Sequence, residues 1–172
     1  MEGFLLNNLK VYVMDEYINI FFYSMLPITE LRLTIPLGLL EYNMNWIHVF
    51  LISIAGNFIV CVPIVYFFKY IEKLFNKNYY SRKILNKIFK RTRSRGKLIN
   101  LYKYYGIILF VGIPLPFTGA WTGCLASYLF GFGKKKTLAA IMFGLCLSAS
   151  IVTMATFFVR SLLIYIGYDG AI

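Results

Sequence analysis

The sequence predicts an all-α integral membrane protein built as an inverted repeat: a re-entrant hairpin and then a transmembrane helix, twice, joined by a basic amphipathic linker. Three observations predict it. The chain of 172 residues is 59% hydrophobic and only 15% charged, where roughly 45–50% and 25% are usual in soluble domains. Two stretches, Trp46–Phe68 and Thr137–Val159, each run for 23 residues without an Asp, Glu, Lys or Arg. About 20 apolar residues in a helix span a bilayer core. The other apolar stretches are broken by prolines, and each broken stretch precedes a clean one.

The whole chain, 1–172, reads as one membrane domain. Residues 1–16 read as an interfacial segment of the mature chain: Glu2 and Lys10 flank Phe4, Leu5, Leu6 and Leu9, without a basic leader and cleavage site. Residues 17–41 read as the first re-entrant hairpin. Tyr17–Leu40 is apolar apart from Glu30 and Arg32, and Pro27 and Pro36 break it. A single kinked span fits that stretch nearly as well. Residues 46–69 form the first transmembrane helix, with Trp46 at the outer belt and His48, one turn in, as an interfacial residue.

Residues 70–104 form the basic linker. Of 18 Lys and Arg, 12 fall between Lys69 and Lys103, against the single acid Glu72. Short basic loops stay in the cytoplasm, so this segment marks the inner face. Within it Ile84, Leu85, Ile88 and Phe89 recur at helical spacing among Arg82, Lys83, Lys87, Lys90 and Arg91. That pattern suits a helix lying on anionic lipid head groups. The net charge of +11 also suits nucleic acid, but the charge sits where an inner face requires it, so no nucleic-acid partner is expected.

Residues 105–133 form the second hairpin. A single span here would carry Lys134-Lys135-Lys136 outside, against the positive-inside pattern. Pro114, Pro116 and Gly119 interrupt the stretch, and a chain that enters, turns and returns keeps both flanks inside. Two complete spans are the alternative. Residues 137–160 form the last transmembrane helix, from whose end Arg160 snorkels outward. Small residues stand at fourth positions in Gly119, Gly123, Ser127 and Gly131, and again in Ala140, Gly144 and Ser148. Such stripes let helices approach closely, either within one chain or between the two copies of a homodimer.

The candidate site residues follow from this layout. Glu30 and Arg32 fall within the first hairpin, where ionised groups are costly and pair or face water. They form either a substrate and proton site, with Arg32 holding an anion and Glu30 titrating, or a structural ion pair. Asn57 lies deep in the first span, as interhelical glue or as a ligand contact. Pro114 and Pro116 free backbone groups at the second tip, where Thr118 and Thr122 add hydroxyls for a ligand or ion. Cys61, Cys124 and Cys146 lie in apolar stretches with no CxxC or Cys/His cluster, so neither metal nor cofactor is expected. No nucleophile–base pair or phosphate loop suggests an enzyme.

Several of these motifs resemble the bacterial and archaeal family of small multidrug export proteins: Pro27-Ile-Thr-Glu-Leu-Arg32 with Ile35-Pro36-Leu-Gly38, Gly56-Asn57, and Pro114-Leu-Pro116 with Thr118-Gly-Ala-Trp-Thr-Gly123. Leu33-Thr34 and Phe117 depart from its pattern of smaller residues. The family is similar, more distantly, to DedA-like membrane proteins, which have paired re-entrant hairpins and include lipid-carrier flippases and scramblases. The resemblance implies a multi-pass protein of a prokaryotic plasma membrane. It implies transport, of a lipid-like anion such as a carrier-lipid phosphate with proton coupling, or of amphipathic cations. A non-transporting scaffold that binds anionic lipid or a partner is the contrasting expectation.

Overall fold

The computed structural model describes residues 2–75, 102–115 and 118–166, with the helical positions 83, 87, 89 and 90 between them. Every regular element among the described residues is helical. They are α1 (Glu2–Met25), α2 (Glu30–Pro36), a π-helical turn (Leu37–Glu41), α3 (Trp46–Phe75), α4 (Tyr104–Gly112), α5 (Ala120–Leu129) and α6 (Lys134–Tyr165). Most of the basic linker, including Ile84, Leu85 and Ile88, lies outside the described residues.

Prolines act differently at different places. At Pro27 the chain turns between α1 and α2, and the Thr29 hydroxyl donates to the Tyr23 carbonyl at the open end of α1. Pro36, expected to break the hairpin, does not: α2 runs through it into the π-helical turn. Proline has no N–H to return to the preceding turn, and the wider turn accommodates that missing bond. There the Tyr42 N–H donates to the Leu37 carbonyl, five residues back, at 3.2 Å. Pro63 likewise lies inside α3 without ending it. Around Pro114 the chain is extended, and this break separates α4 from α5.

Boundaries shift with these findings. α1 is continuous across residues 16 and 17, so the interfacial segment and the first hairpin arm are one helix. α3 extends past residue 69 to Phe75, and α6 begins at Lys134, ahead of residue 137. The lysine triplet is therefore the first helical turn of α6 and not a loop.

Two helices, Trp46–Tyr70 of α3 and Lys134–Tyr165 of α6, are long and apolar enough to cross a membrane. Only 39% and 44% of their most apolar stretches are buried, unlike the core helices of a soluble domain. Leu51 and Phe67 on α3, and Phe143, Met154 and Phe158 on α6, are exposed. In water such surface would be a liability; in lipid it is the expected exterior.

The chain divides into two compact units, Met1–Asn57 with Ala149–Ile172, and Phe58–Ser148. Each long helix contributes one stretch to each unit. In the first, α1 packs on α2 and the π-helical turn, burying Ile20, Leu31, Ile35, Leu39 and Val49. Gly56 lets α3 approach α1 closely: a Cβ there would collide with the Ser24 hydroxyl and stand 2.6 Å from the Phe21 carbonyl oxygen. In the second unit α4 packs on α5, and Ile107, Val111, Cys124, Ala126, Ile141 and Leu145 form the core. Gly123 and Gly144 both face Val111 in that core. These two stripe positions are thus used within the unit and present no surface to a second copy.

Candidate functional site

A polar contact of the first unit joins α2 to α3. Glu30 opens α2 with φ of 41°, in the left-handed region that a residue with a Cβ seldom adopts. Its N–H donates to the Leu26 carbonyl at 3.1 Å, closing the turn that follows Pro27. That turn carries the Glu30 side chain inward, where the residue is only 6% exposed. Buried carboxyl groups are costly unless paired or hydrogen-bonded, and Glu30 acts electrostatically on Arg32, which is half-buried.

One turn further along α2, the Thr34 hydroxyl lies 3.1 Å from the Glu30 carbonyl oxygen and 3.0 Å from Ser53 Oγ on α3. On the next turn of α3, Asn57 Nδ2 donates to the Ser53 carbonyl at 3.2 Å. Glu30, Thr34, Ser53 and Asn57 are all buried, and the Thr34–Ser53 contact makes a polar seam between α2 and α3. The Asn57 bond lies within α3, one turn from the Ser53 hydroxyl that meets Thr34.

The second tip is organised differently. Thr118 Oγ1 lies within hydrogen-bond distance of the Ile113 and Leu115 carbonyl oxygens, at 3.0 and 2.8 Å. Thr122 Oγ1 donates to the Gly119 carbonyl at 2.9 Å. Both hydroxyls fasten the tip to its own backbone. Gly119 stands immediately before α5 in an extended conformation. Pro114 is half-buried, whereas Pro116 lies outside the described residues. Glu30, Arg32 and Asn57 belong to one unit, and Pro114, Thr118 and Thr122 to the other.

Two side chains expected at the interface have partners in the first unit. The exposed His48 Nδ1 lies 3.1 Å from the Tyr17 hydroxyl, and Arg160 donates to Asn43 Oδ1 at 3.3 Å. Thr34 and Ser53 escaped the sequence reading. Ser53 and Asn57 do stand one helical turn apart in an apolar span, a spacing that could have flagged a polar face. No group of three or more His, Cys, Asp or Glu among the described residues is arranged to hold a metal ion.

The family model described as Putative small multi-drug export protein matches residues 30–151 of the 172. The match begins at Glu30, takes in α2 to α5 and ends within α6. No curated protein and no solved structure matches the chain.

Proposed function

We propose that this chain, which belongs to the Putative small multi-drug export protein family, is a multi-pass transporter of a prokaryotic plasma membrane whose substrate site includes Glu30 and Arg32. The observation that carries this reading is the placement of Glu30: a carboxyl buried at 6% exposure, on a backbone of positive φ, at the head of a hydroxyl- and amide-lined seam. Strained backbone and buried charge both cost stability, and their coincidence is typical of functional sites. The inverted repeat belongs to this reading, with hairpins α1–α2 and α4–α5 re-entering the membrane as in DedA-like proteins. The brevity of α4 and α5 supports it.

The favoured substrate is an amphipathic anion of the carrier-lipid phosphate type. A guanidinium matches a phosphate with two parallel hydrogen bonds, and Arg32 is the cation beside Glu30. Glu30 then takes and releases a proton, coupling transport to the proton gradient. The family description favours a second reading, export of small amphipathic drugs, for which the Glu30 carboxylate would attract a cation.

Purified protein in sealed vesicles tests both. Under the first reading, vesicles loaded with a fluorescent polyprenyl phosphate lose it across the bilayer, Arg32→Ala stops the loss, and an amphipathic cation dye is not moved. Movement of the dye alone, abolished by Glu30→Gln, would install the second. If neither probe moves and both variants behave as wild type, the chain is a scaffold and the transport reading fails.

A further inference from the structure

The second unit holds a cavity of about 400 Å³ at the start of α6 that the transport reading leaves unused. Its walls are mixed: Val65, Phe68 and Phe132 are apolar, Lys69 and Lys134 are cationic, and Thr137 brings a hydroxyl. Thr137 is 1% exposed, and its Oγ1 meets no hydrogen-bond partner among the described residues. Helical hydroxyls commonly bond back to the carbonyl four residues earlier, as Ser127, Thr156 and Ser161 do here. Thr137 does not, and a buried hydroxyl left unmatched is costly.

The local charge points the same way. Lys134, Lys135 and Lys136 form the first turn of α6, where the helix dipole is already positive and further cations are unfavourable. Gly133, just before them, has no side chain to cap the free N–H groups of that turn. Lys134 Nζ rests on Tyr66, 3.4 Å from its carbonyl oxygen and 5.0 Å from its ring centroid, which holds the ammonium at the cavity. The neighbouring acid, Glu72, accepts the Tyr128 hydroxyl at 2.5 Å. Against that one carboxylate stand Lys69, Lys73 and the triplet.

We propose that this cavity binds a phosphate group, with Lys69, Lys134 and the Thr137 hydroxyl as donors. An anion there would neutralise the lysines, complete the helix start and give Thr137 its missing partner. The volume and the apolar walls also admit the first atoms of an attached chain. The phosphate can therefore come from solution or from an anionic lipid of the inner leaflet.

Full-length protein in detergent, titrated with inorganic phosphate, and protein in phosphatidylcholine nanodiscs with and without phosphatidic acid separate these sources. Binding of both probes marks the phosphate alone as the ligand, and binding of phosphatidic acid only marks a lipid headgroup. Either result requires that Thr137→Val weaken binding roughly tenfold, the loss expected for a hydrogen bond to a charged group. Thr137→Ser, which keeps the hydroxyl, should bind as wild type. Lys69→Gln should weaken binding and flatten its salt dependence. Thr137→Val removes no bond within the protein and relieves an unmatched buried hydroxyl, so its melting temperature without ligand should equal or exceed that of wild type; if it does not fold, Lys134→Gln takes its place. Binding of neither probe, or undiminished binding by Lys69→Gln, by folded Thr137→Val or by the Lys134→Gln that replaces it, overturns the site.

Discussion

Val111 fills the space that a side chain at Gly144 would need: a Cβ there would stand 2.8 Å from Val111 Cβ and 3.1 Å from the Ile108 carbonyl oxygen. On its other flank Val111 Cγ2 would lie 2.5 Å from a Cβ at Gly123. The two collisions differ in kind, because one involves atoms that Val111→Ala removes and the other does not. Overpacking of this sort costs about 1–3 kcal/mol. Gly123→Ala and Gly144→Ala should each lower the melting temperature in detergent. In double-mutant cycles Val111→Ala should relieve Gly123→Ala and leave Gly144→Ala uncorrected. Equal rescue of both would mean that α4 does not lie as described.

A second close approach predicts a similar asymmetry in the first unit. Alanine at Gly56 meets the Ser24 hydroxyl, which a rotamer change or truncation can remove, and the Phe21 carbonyl, which belongs to the backbone of α1. Gly56→Ala should therefore destabilise by about 1–3 kcal/mol, and adding Ser24→Ala should not restore the loss. Thermal melting of the three variants decides it.

The sequence disclosed the parts of this fold that depend on composition along one segment. Trp46–Phe68 and Thr137–Val159 are legible because a charge-free run long enough to cross a bilayer has few other uses. The breaks at Pro27 and Pro114 are legible because proline disfavours a continuing helix. Pro36 and Pro63 carry the same local signal with the opposite outcome, since what surrounds a proline decides whether one missing hydrogen bond ends the helix. Glu2 and Lys10 around a short apolar run suggested an interfacial segment and hid the continuity of α1. Of the seam, Glu30 and Asn57 stood out as polar residues in apolar runs. Thr34 and Ser53 meet only through the register of α2 on α3, a tertiary fact that no spacing within either helix encodes.

That Thr34–Ser53 contact carries its own prediction. Thr34→Val keeps the side-chain shape but deprives Ser53 Oγ of its partner on α2, which should cost about 1–3 kcal/mol for a buried polar group. Ser53→Ala should cost less, because the Thr34 hydroxyl keeps the Glu30 carbonyl oxygen as a partner. The double variant should cost clearly less than the two together, because neither hydroxyl is then left facing an apolar group. Strictly additive losses in denaturation experiments would show that the two hydroxyls do not interact.

The last prediction concerns how α4 and α5 enter the membrane. They have nine and ten residues, which at 1.5 Å per residue reach about 14–15 Å. A bilayer core is about 30 Å thick, so neither arm crosses it and the tip near Leu115 should stop inside. Impermeant thiol reagents read this directly. Cys61 and Cys124 are buried, so only the partly exposed Cys146 needs replacement for a silent background. Lys135→Cys, on the exposed first turn of α6, should label from the same side as Lys73→Cys and from the opposite side to Asn43→Cys. Leu115→Cys should resist the reagent from both sides. If Lys135→Cys labels with Asn43→Cys, the segment crosses once. If Leu115→Cys labels from the Asn43 side, the hairpin crosses twice. Either pattern removes the second re-entrant hairpin, and with it the inverted repeat.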